Sequence, residues 1–161
     1  MHAGTAEPLR VSPPEAVAYL LELQDRATNG MGALWSCDVT GFCLTPAMPY
    51  AWHPRGSVIA IPTSTPSRRL NVLGVLNRRN DLYPHVLAGK VDTSASVECF
   101  EPLSKQITKR TSVFLENAPM HRSQECIRHI SKWVKRGLII QYFPPYSPEL
   151  NLIEILWRFI K

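Results

Sequence analysis

The second half of the chain alternates between strand-like and helical patterns, and this alternation constrains the fold more than any other feature. Residues 112–115 form a short apolar run, and a helical pattern follows from about Met120 to Arg136, where Gly137 closes it. Residues 138–143 are again apolar and strand-like. Alternating strands and helices of this kind pack as a sheet covered by helices.

Strand patterns dominate the first half, after a single helix. The helix is expected to begin at Pro13 and to end at Asn29-Gly30, and residues 1–12 are expected to form a flexible tail. Proline-rich segments separate the strand patterns that follow. The predicted strands cover residues 33–37, 42–44 after a turn at Gly41, 57–61, 70–76 and 82–87. Together the two halves predict an α/β domain, a mixed sheet flanked by helices, over residues 13–161.

Two further helices are predicted from their first residues. Thr93 is expected to cap a helix that runs toward Arg110, with Pro102 as a kink. Ser147 is expected to cap the last helix, because Pro148 follows it at the first turn. That helix would carry Glu154.

Composition favours a soluble protein that binds a polyanion. Hydrophobic residues make up 45% of the 161 and charged residues 19%, as in globular proteins. The formal net charge of +5 favours nucleic acid as a partner. The four cysteines lack zinc-knuckle spacing, and no apolar run approaches the about 18 residues of a membrane span. We therefore expect a cytoplasmic protein with reduced thiols and no membrane segment.

Three carboxylates occupy positions where an α/β fold builds sites. Asp38 and Glu116 each follow an apolar strand pattern, and Glu154 lies in the last helix. Strand ends meet at one edge of such a sheet. Three carboxylates there repel one another unless a cation lies between them, and Mg²⁺ or Mn²⁺ prefers such oxygen ligands. Two ions at about 3.5–4 Å clamp the attacking and leaving oxygens of a phosphodiester.

Each carboxylate also has a purely structural interpretation. Asp38, shortly before Gly41, fits a turn residue. Glu116 fits an exposed carboxylate at a strand end. Glu154 fits a surface residue paired with Arg158 at i+4.

The C-terminal segment carries a resemblance to a known family. Residues 142–154 have the sequence YFPPYSPELNLIE, and Trp157 and Lys161 follow them. This run closely resembles the signature of mariner-like DDE transposases, and most of all their bacterial insertion-sequence branch. The run is long and unusual in composition, so it is a specific signal.

Earlier segments agree with the same family in order and spacing. Residues 116–123 (ENAPMHRS) resemble its second acidic motif, and residues 38–42 (DVTGF) resemble its first. Residues 70–74 (LNVLG) look like the strand that follows the first motif. Further matches are Tyr50-Ala51-Trp52 and Arg55-Gly56. The resemblance extends from about residue 15 to the end of the chain.

The resemblance implies an RNase H-like fold and the chemistry of a transposase. Such a domain uses two divalent metal ions, Mg²⁺ or Mn²⁺, to cleave phosphodiester bonds at transposon ends and to join the 3′-hydroxyl to target DNA. Asp38, Glu116 and Glu154 would be its catalytic residues and metal ligands. The implied partners are transposon-end DNA, target DNA and a second copy of the chain on that DNA. The implied location is the bacterial cytoplasm, at the nucleoid.

Three more residues would lie near this site by the same resemblance. They are Asn117, His121 and Asn151. Asn117 also fits an ordinary turn residue, and His121 fits a packed or capping histidine on its helix; these structural interpretations are the ones that the sequence favours.

The match departs from the family at the second ligand. The family has aspartate where this chain has Glu116, which adds one methylene between backbone and carboxylate. A misplacement of about 1 Å can cost about 10²-fold in rate, and Mg²⁺ demands near-ideal octahedral geometry. The alternative to an active enzyme is therefore an inactive remnant with at most non-specific DNA binding. The C-terminal signature argues against another RNase H-like nuclease such as a resolvase.

Two smaller departures are Val39, where the family often has a second acid, and Leu152, where it usually has proline. Full-length relatives also carry N-terminal helix-turn-helix modules that recognise transposon ends. Residues 1–32 offer one helix at most, so we expect this chain to lack those modules.

Basic residues in predicted loops are candidates for phosphate contacts. Arg68 and Arg69 are the favoured pair, since their loop is polar, and Arg55 is a further candidate. Arg78 and Arg79 share the loop setting. Other cations are predicted at helix C-termini, where the helix dipole accounts for them: Lys109, Arg110, Lys132, Lys135 and Arg136.

Overall fold

The computed structural model gives the chain a central sheet with helices on both faces. The described strands are β1 (Ala33–Cys43), β2 (Arg69–Asn77), β3 (Leu82–Leu87), β4 (Thr111–Leu115) and β5 (Leu138–Tyr142). The described helices are α1 (Pro13–Thr28), α2 (Thr93–Gln106), α3 (Gln124–Lys135) and α4 (Leu152–Ile160), with a 3-10 turn at Pro148–Leu150 before α4. The structure describes residues 13–43, 52, 54–56, 68–116, 123–144 and 147–160.

The five described strands form one mixed sheet in the order β3-β2-β1-β4-β5. β1 pairs antiparallel with β2 and parallel with β4, and β5 continues the parallel half beside β4. β3 pairs antiparallel with β2 as an outer strand, which explains how it tolerates Pro84. The predicted mixed α/β sheet flanked by helices is confirmed.

The two faces of the sheet carry cores of different size. The larger core lies under α2 and α3, and Cys37, Leu73 and Trp133 are fully buried in it. The smaller core lies under α4, where Ile153 and Trp157 pack with Leu76. Side chains alternate between the faces along each strand. A residue next to Cys37 or Leu73 in sequence therefore points toward the α1/α4 face.

A polar cluster fastens α2 to α3. The Glu101 carboxylate on α2 accepts hydrogen bonds from Trp133 Nε1 and from Arg136 Nη1, each at 2.9 Å, and forms an ion pair with Lys105 at 3.2 Å. The bonds from Arg136 and Trp133 lower the pKa of Glu101 from 4.5 to about 2. A charged acceptor thus satisfies the N–H of the buried Trp133 ring.

The predicted turn at Gly41 is wrong, since β1 runs without interruption through this residue. Gly41 pairs with Asn71 and Phe42 with Leu70 in the β1–β2 ladder. The Arg69 side chain lies over Gly41, and its guanidinium occupies the place that a Cβ there would take. The separate strand predicted for residues 42–44 is the end of β1.

Some helix boundaries were predicted correctly and others were not: α1 begins at the expected Pro13, whereas both boundaries of α2 differ from the prediction. α1 ends at the expected Asn29-Gly30, with Gly30 at φ 77°, and Gly137 closes α3 at φ 94°. The cap of α2 is Asp92 rather than Thr93, because its carboxylate accepts from Ala95 N at 3.1 Å. α2 ends at Gln106, well before Arg110.

α3 and α4 both begin later than predicted. Ser123, whose hydroxyl accepts from Cys126 N at 3.2 Å, caps α3. The backbone carbonyl of Ser147 accepts from Leu150 N in the 3-10 turn. α4 itself starts only at Leu152. The predicted tail at residues 1–12 and strand at 57–61 lie outside the described residues. None of the described helices has the length and apolar character needed to cross a membrane.

Candidate active site

Asp38 lies in the middle of β1, on the α1/α4 face of the sheet. Its Cα partner on β2 is Gly74. Phe42, four residues further on the same face, meets the Trp157 ring of α4 edge-on at 6.5 Å. The interpretation of Asp38 as a turn residue is therefore wrong. β1 holds this partly buried carboxylate on a rigid strand rather than on a loop.

Glu116 follows β4 directly and is level with Asp38. The last pair of the β1–β4 ladder joins Cys37 to Leu115, so the next residues along the two parallel strands are Asp38 and Glu116. Adjacent strands lie about 4.8 Å apart. Leu115 points into the larger core. Because side chains alternate along a strand, the next residue, Glu116, starts toward the α1/α4 face. Glu116 is exposed there.

Glu154 belongs to the first turn of α4, which packs on the sheet beside Asp38. A Cβ on Gly74 would lie 2.7 Å from Trp157 Cζ2 and 2.8 Å from Ile153 Cδ1, so α4 rests directly on this glycine. Gly74 is the ladder partner of Asp38. Glu154 is next to Ile153 and partly buried. The sequence also allowed a surface ion pair between Glu154 and Arg158. Among the described residues this ion pair does not form.

The fold thus brings the three carboxylate-bearing positions to one region of one face. Asp38 on β1 and Glu116 just after β4 lie at the same level, and Glu154 lies on α4, which packs on β1 and β2. Among the described residues, however, no three His, Cys, Asp or Glu side chains form a group that could hold a metal ion. The placement of the backbone supports a shared site, whereas the side chains have not converged on one point.

Asn151, predicted to lie near the site, is buried at the start of α4. Its side chain is 2% exposed, and neither amide atom has a hydrogen-bond partner. Its backbone carbonyl accepts from Glu154 N at 3.1 Å and so fixes the turn that carries Glu154. An unpaired buried polar group costs about 1–3 kcal/mol, which makes this amide an exception. Asn117 and His121 lie outside the described residues.

Sequence reasoning missed two other features of this face. Thr40, two residues after Asp38, is buried with an unpaired hydroxyl, and the Trp157 Nε1 is buried without an acceptor. Gly74 was seen only as part of a strand pattern. A glycine within an otherwise aliphatic strand was the available signal, since it often marks a close approach by another element.

The favoured arginines lie away from Asp38. Arg69 begins β2, donates from Nε to Asn71 Oδ1 at 3.2 Å, and lies across Gly41 on the α2/α3 face. Arg68 precedes it and is exposed. Arg55 is exposed in a turn with Gly56, whose φ is 86°. Their role as DNA contacts stays a prediction.

The cysteines are free thiols, and most are shielded. Burial raises the pKa of the Cys37 thiol, with the charges of Cys99 and Asp38 adding to the effect. Burial also raises the pKa of Cys99 to about 12 and that of Cys126 to about 11. These three thiols therefore stay protonated near neutral pH and are poor metal ligands.

Comparison with known proteins gives a family match and a structural likeness. Residues 33–161 match a family described as DDE superfamily endonuclease. No curated protein sequence matches the chain. Among solved structures, a Mos1 transposase paired-end complex with the left transposon end is similar, at 12% identity and a TM-score of 0.64 over 99% of this chain and 52% of that one.

Two further structures share the fold. One is a Mos1 mariner paired-end complex with Mg, at 10% identity and a TM-score of 0.57, again over 99% of this chain and 52% of that one. The other is a simian T-cell lymphotropic virus intasome in complex with PP2A regulatory subunit B56 gamma, at 14% identity and a TM-score of 0.50, over 80% and 37%. The fold is therefore RNase H-like, as predicted, and the chain spans about half the length of the Mos1 chains.

Proposed function

Because the chain belongs to the DDE superfamily endonucleases, we propose that it is the catalytic domain of a transposase. Its reaction is metal-dependent cleavage of phosphodiester bonds at transposon ends, followed by strand transfer to target DNA. The observation that carries the proposal is the register of the sheet, which sets Glu116, at the end of β4, level with Asp38 on β1, while α4, which carries Glu154, packs on β1 and β2.

The donor chemistry of the three residues fits Mg²⁺ or Mn²⁺. All three side chains offer carboxylate oxygens, the ligands that these hard cations prefer. Asp38, Glu116 and Glu154 would hold the ions, which when bound stabilise the attacking and leaving oxygens of the phosphodiester. The Mos1 paired-end complexes with Mg and with Mn support this choice of metal.

The three proposed ligand residues are held in place by different contacts, so they differ in how rigidly they are positioned. Asp38 is fixed within β1 by its pairing with Gly74 on β2. Glu154 is fixed by the two buried side chains of α4, Ile153 and Trp157. Glu116 is exposed just beyond the end of β4. Glu116 is therefore the member whose carboxylate most needs to reorient before the three can share a metal.

The glutamate at position 116 favours a second candidate function, an inactive remnant that keeps the fold and binds DNA without specificity. Glu116 replaces the family's aspartate, and the described side chains form no three-residue metal group. An extra methylene that displaces the carboxylate by about 1 Å would lower the rate by about 10²-fold.

The partners and the setting belong to the proposal as well. The partners are transposon-end and target DNA, with a second copy of the chain assembled on that DNA. The similar Mos1 structures, a paired-end complex with a transposon end and a strand transfer complex, support DNA as the partner. The DNA-rich bacterial nucleoid is the corresponding location, with the bacterial insertion-sequence branch as the source.

Nicking of supercoiled plasmid in Mn²⁺ tests the proposal. We expect slow nicking by this chain, none by Asp38→Asn, and about 10²-fold faster nicking by Glu116→Asp. Nicking that survives Asp38→Asn would show that it does not come from these carboxylates. No nicking by any variant, with folding intact, would favour the remnant.

A further inference from the structure

The turn between β2 and β3 holds two arginines on a rigid frame. Asn77 organises it: Oδ1 accepts from Arg79 N at 2.9 Å and from Asp81 N at 3.0 Å, while Nδ2 donates to Asp81 Oδ2 at 2.8 Å. Asn80 takes up a left-handed conformation at φ 64°, which asparagine tolerates. Arg78 and Arg79 are exposed on this frame.

A cleft of about 410 Å³ lies against this turn and carries an excess of positive charge. It opens between the turn, the end of α1 and the start of β1. Its charged lining residues are Arg78, Arg79, Lys109 and Asp81. The Asp81 carboxylate already accepts from Asn77. No ion pair joins any of the three cations to a residue that the structure describes.

The setting of Lys109 differs from the one that the sequence predicted. Lys109 was assigned to a helix C-terminus, where the helix dipole would account for its charge. α2 ends at Gln106, and Lys109 lies in the connection before β4, exposed. Its backbone carbonyl accepts from the Thr111 hydroxyl at 2.9 Å, which fixes the chain there. The dipole therefore does not explain a cation at the mouth of the cleft.

The turn beside the cleft begins three residues along β2 from the ladder partner of Asp38. Asn77 pairs with Trp35 in the same ladder in which Gly74 pairs with Asp38, three residues away. At the rise of a strand this separation is about 10 Å, which equals about three base pairs along a DNA duplex. Arg78 also lines a smaller pocket with Ser36, which shares the face of Asp38. Arg78 therefore borders both the cleft and a pocket on the face of the sheet that carries Asp38.

We propose that this cleft, the Arg78–Arg79–Lys109 cleft, is a phosphate-binding site for the backbone of a DNA duplex. It grips the duplex about three base pairs from the phosphodiester that the carboxylates engage. The inference rests on the proposed function for the identity of that DNA. Phosphate contacts of this kind fix the register and orientation of a duplex without reading its sequence. They suit a site in which two of the three cations stand on a rigid turn and none forms an ion pair with a residue that the structure describes.

The salt dependence of duplex binding, measured by fluorescence anisotropy in EDTA, tests the site independently of metal. The variant is Arg78→Gln/Arg79→Gln, and the matched control is Lys132→Gln/Lys135→Gln, which removes the same charge from exposed positions on α3. Each phosphate contact contributes about −0.9 to the slope of log affinity against log salt. We expect the cleft variant to lower the slope by about 2 and the control to leave it nearly unchanged.

Equal changes in the two variants would overturn the proposal, because they would reflect bulk charge alone. Micromolar binding of inorganic pyrophosphate that only the cleft variant loses, with duplex binding unaltered, would also overturn it in favour of a small anion. Failure of the proposed function has a different signature, since nicking would then be absent while the slope still changes. Nicking that depends on Asp38, with an unchanged slope, would refute the cleft alone.

Discussion

Gly74 pairs with Asp38 in the sheet and contacts two buried side chains of α4. Adding one methyl group at Gly74 therefore tests the packing of α4. In Gly74→Ala the new Cβ would lie 2.7 Å from Trp157 Cζ2 and 2.8 Å from Ile153 Cδ1. Carbon atoms pack at about 3.5–4.0 Å, so α4 or the strand must move by about 0.8 Å. Both contacted side chains are buried and cannot swing into solvent.

The magnitude follows from two opposing effects. Overpacking a filled core costs about 1–3 kcal/mol. Replacing glycine by alanine restricts the unfolded chain and returns about 0.4–1 kcal/mol. We therefore expect Gly74→Ala to lower the free energy of unfolding by about 1–2 kcal/mol. Because Glu154 moves with α4, we also expect any Mn²⁺-dependent nicking to fall, by up to about 10²-fold for a shift near 1 Å.

Urea denaturation measures the stability change, and Gly89→Ala is the matched control. A Cβ at Gly89 meets nothing within 4 Å, so this variant should be neutral or slightly stabilised. Trp157→Phe in the Gly74→Ala background should relieve part of the overlap, giving a double variant more stable than the sum of the single changes. Equal stability of Gly74→Ala and Gly89→Ala would refute the reasoning.

Two further perturbations test other parts of the structure. The pKa of Glu101 is lowered from 4.5 to about 2 in the folded state, so its carboxylate stabilises the fold above pH 4.5 and this contribution disappears as the pH falls toward 2. We expect Glu101→Gln to be less stable at neutral pH and to approach the parent chain in urea midpoint near pH 2; a difference independent of pH would contradict this. Asn151→Leu removes a buried, unpaired amide and should raise the free energy of unfolding by about 1–3 kcal/mol. A decrease would show that buried water satisfies the amide.

Local signals in the sequence accounted for much of the fold. β2 and its turn were predicted because a β-rich run ends at a polar segment, and the structure places β2 at Arg69–Asn77. Gly41 was misassigned because glycine between two short apolar runs resembles a turn. Its place within β1 follows from pairing with Asn71 on β2, which lies far away in sequence. The start of α2 was missed by one residue, because Asp92 and Thr93 both suit a cap and only geometry distinguishes them.

The candidate site was predictable in residue type but not in arrangement. The choice of Asp38, Glu116 and Glu154 as a set came from motif resemblance. That Asp38 and Glu116 lie side by side at the same height of the sheet follows from the pairing of Cys37 with Leu115. Strand register is a non-local property that no single segment encodes. The contact of α4 with Gly74 and the complete burial of Asn151 depend on tertiary packing in the same way.

The central claim is that Asp38, Glu116 and Glu154 form one divalent-metal site, and thermal unfolding with and without Mn²⁺ tests it most directly. At about 100 times its dissociation constant, a bound ion stabilises the folded state by about 2.7 kcal/mol. In a chain of this size that corresponds to a rise of about 5–11 °C in Tm. We expect this rise in the parent chain, a larger one in Glu116→Asp at equal Mn²⁺, and none in Asp38→Asn. An equal rise in Asp38→Asn, or no rise in any variant, would contradict the claim.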